Sequence, residues 1–286
     1  MNTKYLTEQP RRYVFSGNAA ALSFRIRRPT ELAVPVPAAS SLPVTGGVSE
    51  SVAGPGRLPK PGGDGDYVVY KSAKTSATGD YVDPKRAVAM TRHEVPFDSV
   101  PAYTNVNAEV TGVVSLGRVE IDLAAVAIQA LSADYPEEPS IRCDGIRLEG
   151  VRVDGYPVRI VLAEQFFCDN DTVSKLAVAA GSGVAPQLFI PAQRSAAYGY
   201  KNPGDVTKCT LVNEIAWADK PDPRAAIQGN AIVIEDYGTV YFGEIYVTCY
   251  SRRITMVRFE LGSPDGGDGC LAEGSANGGL WPPNSP

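Results

Sequence analysis

Proline and glycine are packed so densely between residues 29 and 66 that this stretch admits neither a helix nor an uninterrupted central strand. Pro29, Pro35, Pro37, Pro43, Pro55, Pro59 and Pro61 each fix φ and remove a backbone donor, and glycines 46, 47, 54, 56, 62, 63 and 65 lie among them. The same chemistry returns after Gly262, in Gly-Ser-Pro-Asp-Gly-Gly-Asp-Gly and again in Gly278-Gly279-Leu280-Trp281-Pro282-Pro283. These two stretches predict extended arms flanking a body, the first of them joining a short β segment over Tyr13–Arg28, of one or two strands, to that body. The expected division is a basic N-terminal segment with a Pro/Gly-rich arm over 1–66, a β-rich body over 67–262, and a Gly/Pro-rich tail over 263–286.

The body reads as strands. Residues 67–70, 87–95 and 106–122 are rich in β-branched and aromatic residues and bounded by turn formers. Gly112 and Gly117 suggest a strand, a kink and another strand. Ala231–Glu235, the turn Asp236-Tyr237-Gly238, the run Val240–Cys249 and the return Ile254–Leu261 predict consecutive antiparallel partners. In Val240–Cys249 both alternating faces are apolar, which predicts a central strand covered on both sides. Arg252-Arg253 is read as the hairpin turn that follows, with Arg258 projecting from the next strand as a surface ion-pairing group.

Two helices are expected. One runs from Leu123 to Ala133 behind Asp122, with Leu123, Val126, Ala127, Ala130 and Leu131 on one face. The other runs from Thr172 to Ala180, capped by Asp171 and stopped by Gly181. Residues 141–155 form three pentads of the pattern apolar-Arg-apolar-acidic-Gly. An odd period inverts strand alternation at each unit, so the pentads predict short strands joined at glycine bulges or turns. The fold class that follows is mainly β: an antiparallel two-layer β-sandwich with one or two short helices and long Pro/Gly-rich terminal arms.

Motifs narrow the function by exclusion. Ser41-Leu42-Pro43-Val44-Thr45-Gly46 resembles a sortase sorting signal, but the residues after it could not span a bilayer. Arg11-Arg12 resembles a twin-arginine signal, yet the apolar patch Ala19–Phe24 is short and closed by Arg25, Arg27 and Arg28. A soluble, cytoplasmic protein without a membrane partner is the expectation. Cys143, Cys168, Cys209, Cys249 and Cys270 are widely spaced, which argues for reduced, buried thiols and against zinc. His93 stands alone, so a histidine-dependent triad would have to use it. No P-loop or dinucleotide fingerprint is present, and no cofactor is expected.

Asp169-Asn170-Asp171 resembles the Asp-x-Asp with which nucleotide-sugar glycosyltransferases hold Mg²⁺ or Mn²⁺, and Asp169 and Asp171 are the candidate metal ligands. Those enzymes need an alternating β/α region upstream, whereas Pro/Gly-rich and β sequence stands there. Gly62-Gly63-Asp64-Gly65-Asp66 and Gly266-Gly267-Asp268-Gly269 only partly match a calcium-binding repeat, and Gly181-Ser182-Gly183 lacks the spacing of a nucleophile elbow.

A net charge of −5 makes nucleic acid an unlikely partner. Lys4, Arg11, Arg12, Arg25, Arg27 and Arg28 stand against Glu8 alone at the N-terminus, leaving a more acidic remainder. Tyr13, Phe15, Leu280 and Trp281 are anchors within the arms. With Arg25, Arg27 and Arg28 they are the candidate interface residues, and the partner expected is a second copy of the chain. The leading expectation is a non-enzymatic structural or binding protein that self-assembles through its arms, of shell, capsid-like or filament type. The alternatives are a divalent-cation enzyme centred on Asp169 and Asp171, or a monomeric carbohydrate- or ligand-binding sandwich.

Overall fold

The computed structural model describes residues 12–33, 35–61, 65–83, 85, 101–132, 138–190, 207–248 and 250–281. The chain enters through β1 (Arg12–Ile26), β2 (Leu32–Ala33) and β3 (Ala39–Ser41), then β4 (Gly47–Ala53) and β5 (Gly56–Pro59). The strands β6 (Asp66–Tyr70) and β7 (Ser72–Tyr81) precede a long hairpin, β8 (Ala102–Ser115) and β9 (Val119–Ser132). Next come β10 (Ser140–Arg142), β11 (Arg147–Glu149), β12 (Arg152–Val153) and β13 (Tyr156–Leu162). Two short helices follow, α1 (Glu164–Asp169) and α2 (Val173–Gly181). The chain ends with β14 (Thr207–Thr210), β15 (Val212–Trp217), β16 (Ala225–Gln228), β17 (Ala231–Ile234), β18 (Gly238–Val247), β19 (Ser251–Leu261) and β20 (Gly267–Trp281).

These strands form two antiparallel sheets packed as a sandwich. Among the described residues, the nine-stranded first sheet runs β16-β17-β18-β19-β20-β1-β2, with β14 on β18 and β3 on β1. The eleven-stranded second sheet has the path β15-β13-β12-β9-β8-β6-β5, with β10 and β11 also on β9, β7 on β8 and β4 on β7. β1 and β20 lie against β8, and their apolar faces close one continuous core.

The expected arms are not arms. β1 and β20 pair along almost their full length, from Arg12 opposite Trp281 to Ile26 opposite Gly267, and β20 also pairs with β19. Glycine-rich sequence packs as a strand here because a Cβ at Gly269 would collide with Phe24, and one at Gly274 would press on Val126. The boundaries at 66 and 262 therefore divide nothing: β1–β5 and β20 belong to the same sheets as the body.

The expected helix at 123–133 is replaced by β9. It is flanked by β8 on one side and by β10, β11 and β12 on the other. Its inward residues Ala124, Val126, Ile128 and Ala130 are buried at strand period, and Asp122 is no cap but pairs with Arg152 at 2.9 Å. The pentads become β10, β11 and β12, broken at Gly145, Gly150 and Gly155, all with positive φ. The second helix starts one residue later than expected: Thr172 is the cap, its Oγ1 accepting from Lys175 N at 3.3 Å.

Both sheets carry a transverse row at which side chains change face. In the first, Phe242 pairs with Val257 and Glu244 with Thr255, while Gly243 and Met256 between them are not laddered. Ala272 and Ala21 continue that row. In the second, Gly112 and Asp122 are skipped between Thr111–Leu123 and Val113–Ile121, and Lys71 and Gly150 extend the row. Val240 and Phe242 are buried on one side of it, Ile245 and Val247 on the other. β18 is therefore central, and its buried apolar residues share one face because the alternation slips by one residue at Gly243, which corrects the reading of two apolar faces; the other face carries the buried Glu244.

Candidate functional site: the open edge of the second sheet

Among the edge strands of the described residues, which include β2, β5, β15 and β16, β4 is the one that carries exposed valines at strand period. It pairs with β7 from Gly47 opposite Gly79 to Ala53 opposite Ala73, and among the described residues nothing pairs with its other side. An unpaired strand presents a row of free N–H and C=O groups, which is a template for another strand. Its side chains alternate: Val48, Glu50 and Val52 are exposed, while Ser49, Ser51 and Ala53 are half-buried. Val48 is 65% exposed and Val52 71%, and Val44 in the preceding turn is 65% exposed. The edge is interrupted at Gly54-Pro55, beyond which β5 continues it along β6, and at its other end it meets a turn in which Gly46 N donates to Pro43 O at 2.9 Å. Leu42, the first residue of the sortase-like pentapeptide, is buried against Gly17 and Gly79.

The signal for this edge was present in the sequence. Val-Ser-Glu-Ser-Val between glycines is a period-two strand pattern, overlooked because its surroundings read as a linker.

The candidate interface residues are placed differently. Tyr13 and Phe15 are buried in this chain's own core, stacked edge to face with ring centroids 4.7 Å apart, and Phe15 meets Tyr81 at 5.4 Å. They are footholds of β1 and are not available to a partner. Leu280 and Trp281 take their places in β20 opposite Tyr13 and Arg12. Arg25 pairs with Glu31, and Arg27 with Asp268 at 2.8 Å. Arg27 and Arg28 line an open groove of about 460 Å³ with Glu260, Ser263 and Asp268.

The candidate metal ligands diverge. Asp171 is buried and engaged by Ser140 Oγ and by Lys175 Nζ at 2.8 Å, whereas Asp169 accepts from Gln165 at 2.7 Å. The described residues contain no cluster of three or more His, Cys, Asp or Glu placed to hold a metal ion. Gly62, Gly63 and Asp64 of the calcium-like stretch, and His93, lie outside the described residues. Asp268, from the second such stretch, is the partner of Arg27.

The remaining charged groups are organised as clamps. Arg118 holds Asp154 through Nε to Oδ1 at 2.9 Å and Nη2 to Oδ2 at 2.6 Å, and Arg224 reaches the same carboxylate at 3.0 Å. The Arg118 hydrogen bonds hold Asp154 below the usual carboxylate range. Arg118 Nη1 also donates to Glu235 O at 2.6 Å, so one side chain ties the ends of both sheets. Glu244 is buried between Lys208 at 2.6 Å and Arg258. Burial alone would raise its pKa, but Arg258 and Lys208 outweigh that and hold it low.

Arg252 is not in a turn. It lies in β19, 1% exposed, donating to Phe167 O at 3.1 Å and to Asn170 O, the last carbonyls of α1. Arg253 pairs with Glu273 at 2.8 Å, and Arg258, half-buried, pairs with the exposed Glu260 and with the buried Glu244. Burial raises the thiol of Cys143, lifts that of Cys209 to about 12 and that of Cys270 to about 11. Thiols raised this far are poor nucleophiles.

The family model described as "Domain of unknown function (DUF8256)" matches residues 13–183, more than half of the chain. The chain belongs to that family. The matched segment holds β4 and its partner β7, while β19 and β20, which complete the first sheet beside β1, come from beyond it.

No curated protein matches the chain. Among solved structures, the outer membrane phospholipase (OMPLA) dimer with bound calcium from Salmonella typhi is 8% identical, covering 93% of this chain and 90% of that one, with a TM-score of 0.14. An active-site mutant of the outer membrane phospholipase A of Escherichia coli is 9% identical, covering 96% of each chain, with the same TM-score of 0.14. Likeness at that level carries no argument about fold or activity. Among the described residues no helix is long and apolar enough to cross a membrane.

Proposed function

We propose that this is a non-enzymatic structural or binding protein that associates with copies of itself, through an open sheet edge rather than through exchanged arms. The observation that carries the proposal is the exposure of Val48 and Val52 on β4, a strand paired on one side only among the described residues. Strand addition to such an edge gains main-chain hydrogen bonds and buries the valines together. The clamps described above favour the same reading, because they commit charged groups such as Asp154, Glu244 and Arg252 to holding the sandwich together.

Light scattering coupled to size exclusion tests this across chain concentrations from micromolar to millimolar. The expected result is a mass that rises above the monomer with concentration, and a V48K/V52K variant that stays monomeric while keeping the same circular dichroism. A wild-type chain that is monomeric throughout that range would reject the proposal.

A further inference from the structure

We infer that two copies meet β4 to β4, antiparallel, about a twofold axis passing through Glu50. The inference rests on the self-association reading and names its geometry. Val48-Ser49-Glu50-Ser51-Val52 reads the same in both directions. A twofold contact must be self-complementary, because each residue of one copy meets the same surface of the other. Centred on Glu50, antiparallel pairing sets each Val48 opposite a Val52 and each Ser49 opposite a Ser51. All of the exposed valines of the edge then face valines.

The neighbouring registers lose this match. A slip by one residue sets exposed positions opposite half-buried ones, turning the valines away from each other. A slip by two sets a valine against Glu50. Pro55 has no N–H and interrupts the ladder between β4 and β5, and the Pro43–Gly46 turn closes the other side. The contact would join the second sheets of two copies into one continuous sheet.

Glu50 limits the strength of the contact. On its own sheet it lies opposite Ser76, and Lys74 of β7, opposite Val52, is the diagonal cation. Lys74 is itself opposite Glu109 of β8, which also accepts from Arg147 at 2.8 Å. Across the axis Glu50 meets the second copy's Glu50, and like charges directly opposite one another destabilise a strand pair. The contact is therefore reversible, and removing that charge tightens it.

Disulfide trapping in the full chain tests the register. Glu50→Cys should cross-link to itself under mild oxidation with copper phenanthroline. Val48→Cys and Val52→Cys should each cross-link poorly alone and efficiently when mixed. The wild-type chain, with Cys143 and Cys209 buried, is the control. By sedimentation equilibrium, Glu50→Gln should tighten the dimer about two- to fivefold. If light scattering shows oligomers but Glu50→Cys does not cross-link, or Val48→Cys alone traps as well as the mixture, this geometry is wrong and self-association stands. An unchanged or weaker Glu50→Gln dimer also overturns it. A monomer in light scattering removes both readings.

Discussion

Arg118 grips Asp154 at two points, 2.9 and 2.6 Å, across neighbouring turns at one end of the second sheet. Asp154 sits in the tight turn between β12 and β13 with φ 48°, a conformation that aspartate and asparagine tolerate better than most residues. Asp154→Asn therefore keeps the turn and removes the charge. Because the folded carboxyl is held low, its contribution is complete above the unfolded value of about 3.9 and disappears as pH falls through the folded one. Urea denaturation of the wild-type chain should lose stability below pH ~4. Asp154→Asn should be weaker at neutral pH, by about 1–3 kcal/mol, with a flatter acid limb. An unchanged acid limb would show that the clamp contributes nothing.

Glu244 makes a parallel case inside the first sheet. It is buried between two cations, so Glu244→Gln leaves Lys208, itself 8% exposed, without its anion. Breaking one side of a buried pair costs about 3–5 kcal/mol, more than removing the pair as a unit. Glu244→Gln should therefore be less stable than the double variant Glu244→Gln/Lys208→Met in the same denaturation experiment. The opposite order would mean that Arg258 alone accounts for the site.

Arg252 is the buried cation for which no acidic partner within salt-bridge distance is found among the described residues. Its compensation comes from carbonyls at the end of α1, where the helix dipole is negative. Arg252→Met should cost about 2–4 kcal/mol by orphaning Phe167 O and Asn170 O. Arg252→Lys should recover little, since a single ammonium lacks the fork that reaches both oxygens. Hydrogen exchange should show α1 opening before the sheets in either variant. Full rescue by lysine would mean that charge alone, and not the fork, holds α1.

What could be read from the sequence depended on whether a signal was local. The pentad glycines, the Asp236–Gly238 turn and the β18–β19 partnership were legible because turn chemistry and alternation lie within a few residues. The β segment over 13–28 was legible in the same way and is β1, but β20 was not, because a glycine-rich strand such as Ser275–Gly279 becomes one only when β1 and β19 lie beside it. β9 imitated a helix for a different reason. From Leu123 to Leu131 both of its faces are apolar, Leu123, Ala125 and Ala127 on one and Ala124, Val126, Ile128 and Ala130 on the other, so a helical stripe can be drawn through the run. The slip at Gly243 made β18 look covered on both sides. Of the candidate site, the period-two pattern over 48–52 was in plain view, but the openness of that edge is a property of sheet order, which no local window contains.

That slipped row is itself a testable element, because alternate strands cross it left-handed, at Gly243 and Ala272 in the first sheet and at Gly112 and Gly150 in the second. Gly112 has φ 59° and Gly150 φ 63°, and a Cβ at either would meet Lys71 or Asp122 within 2.5 Å and 1.9 Å respectively. Lys71 is a flexible chain that can move aside, whereas Asp122 is tied to Arg152 at 2.9 Å. Gly150→Ala should therefore destabilise more than Gly112→Ala, each by at least the ~1 kcal/mol of a left-handed alanine. Gly117→Ala is the control, with φ 68° and nothing within 4 Å of its Cβ, and should show the backbone cost alone. Thermal melts of the three variants check the order. Equal losses at all three positions would mean that the row is set by backbone strain, and that the side chains lying over its glycines contribute nothing to it.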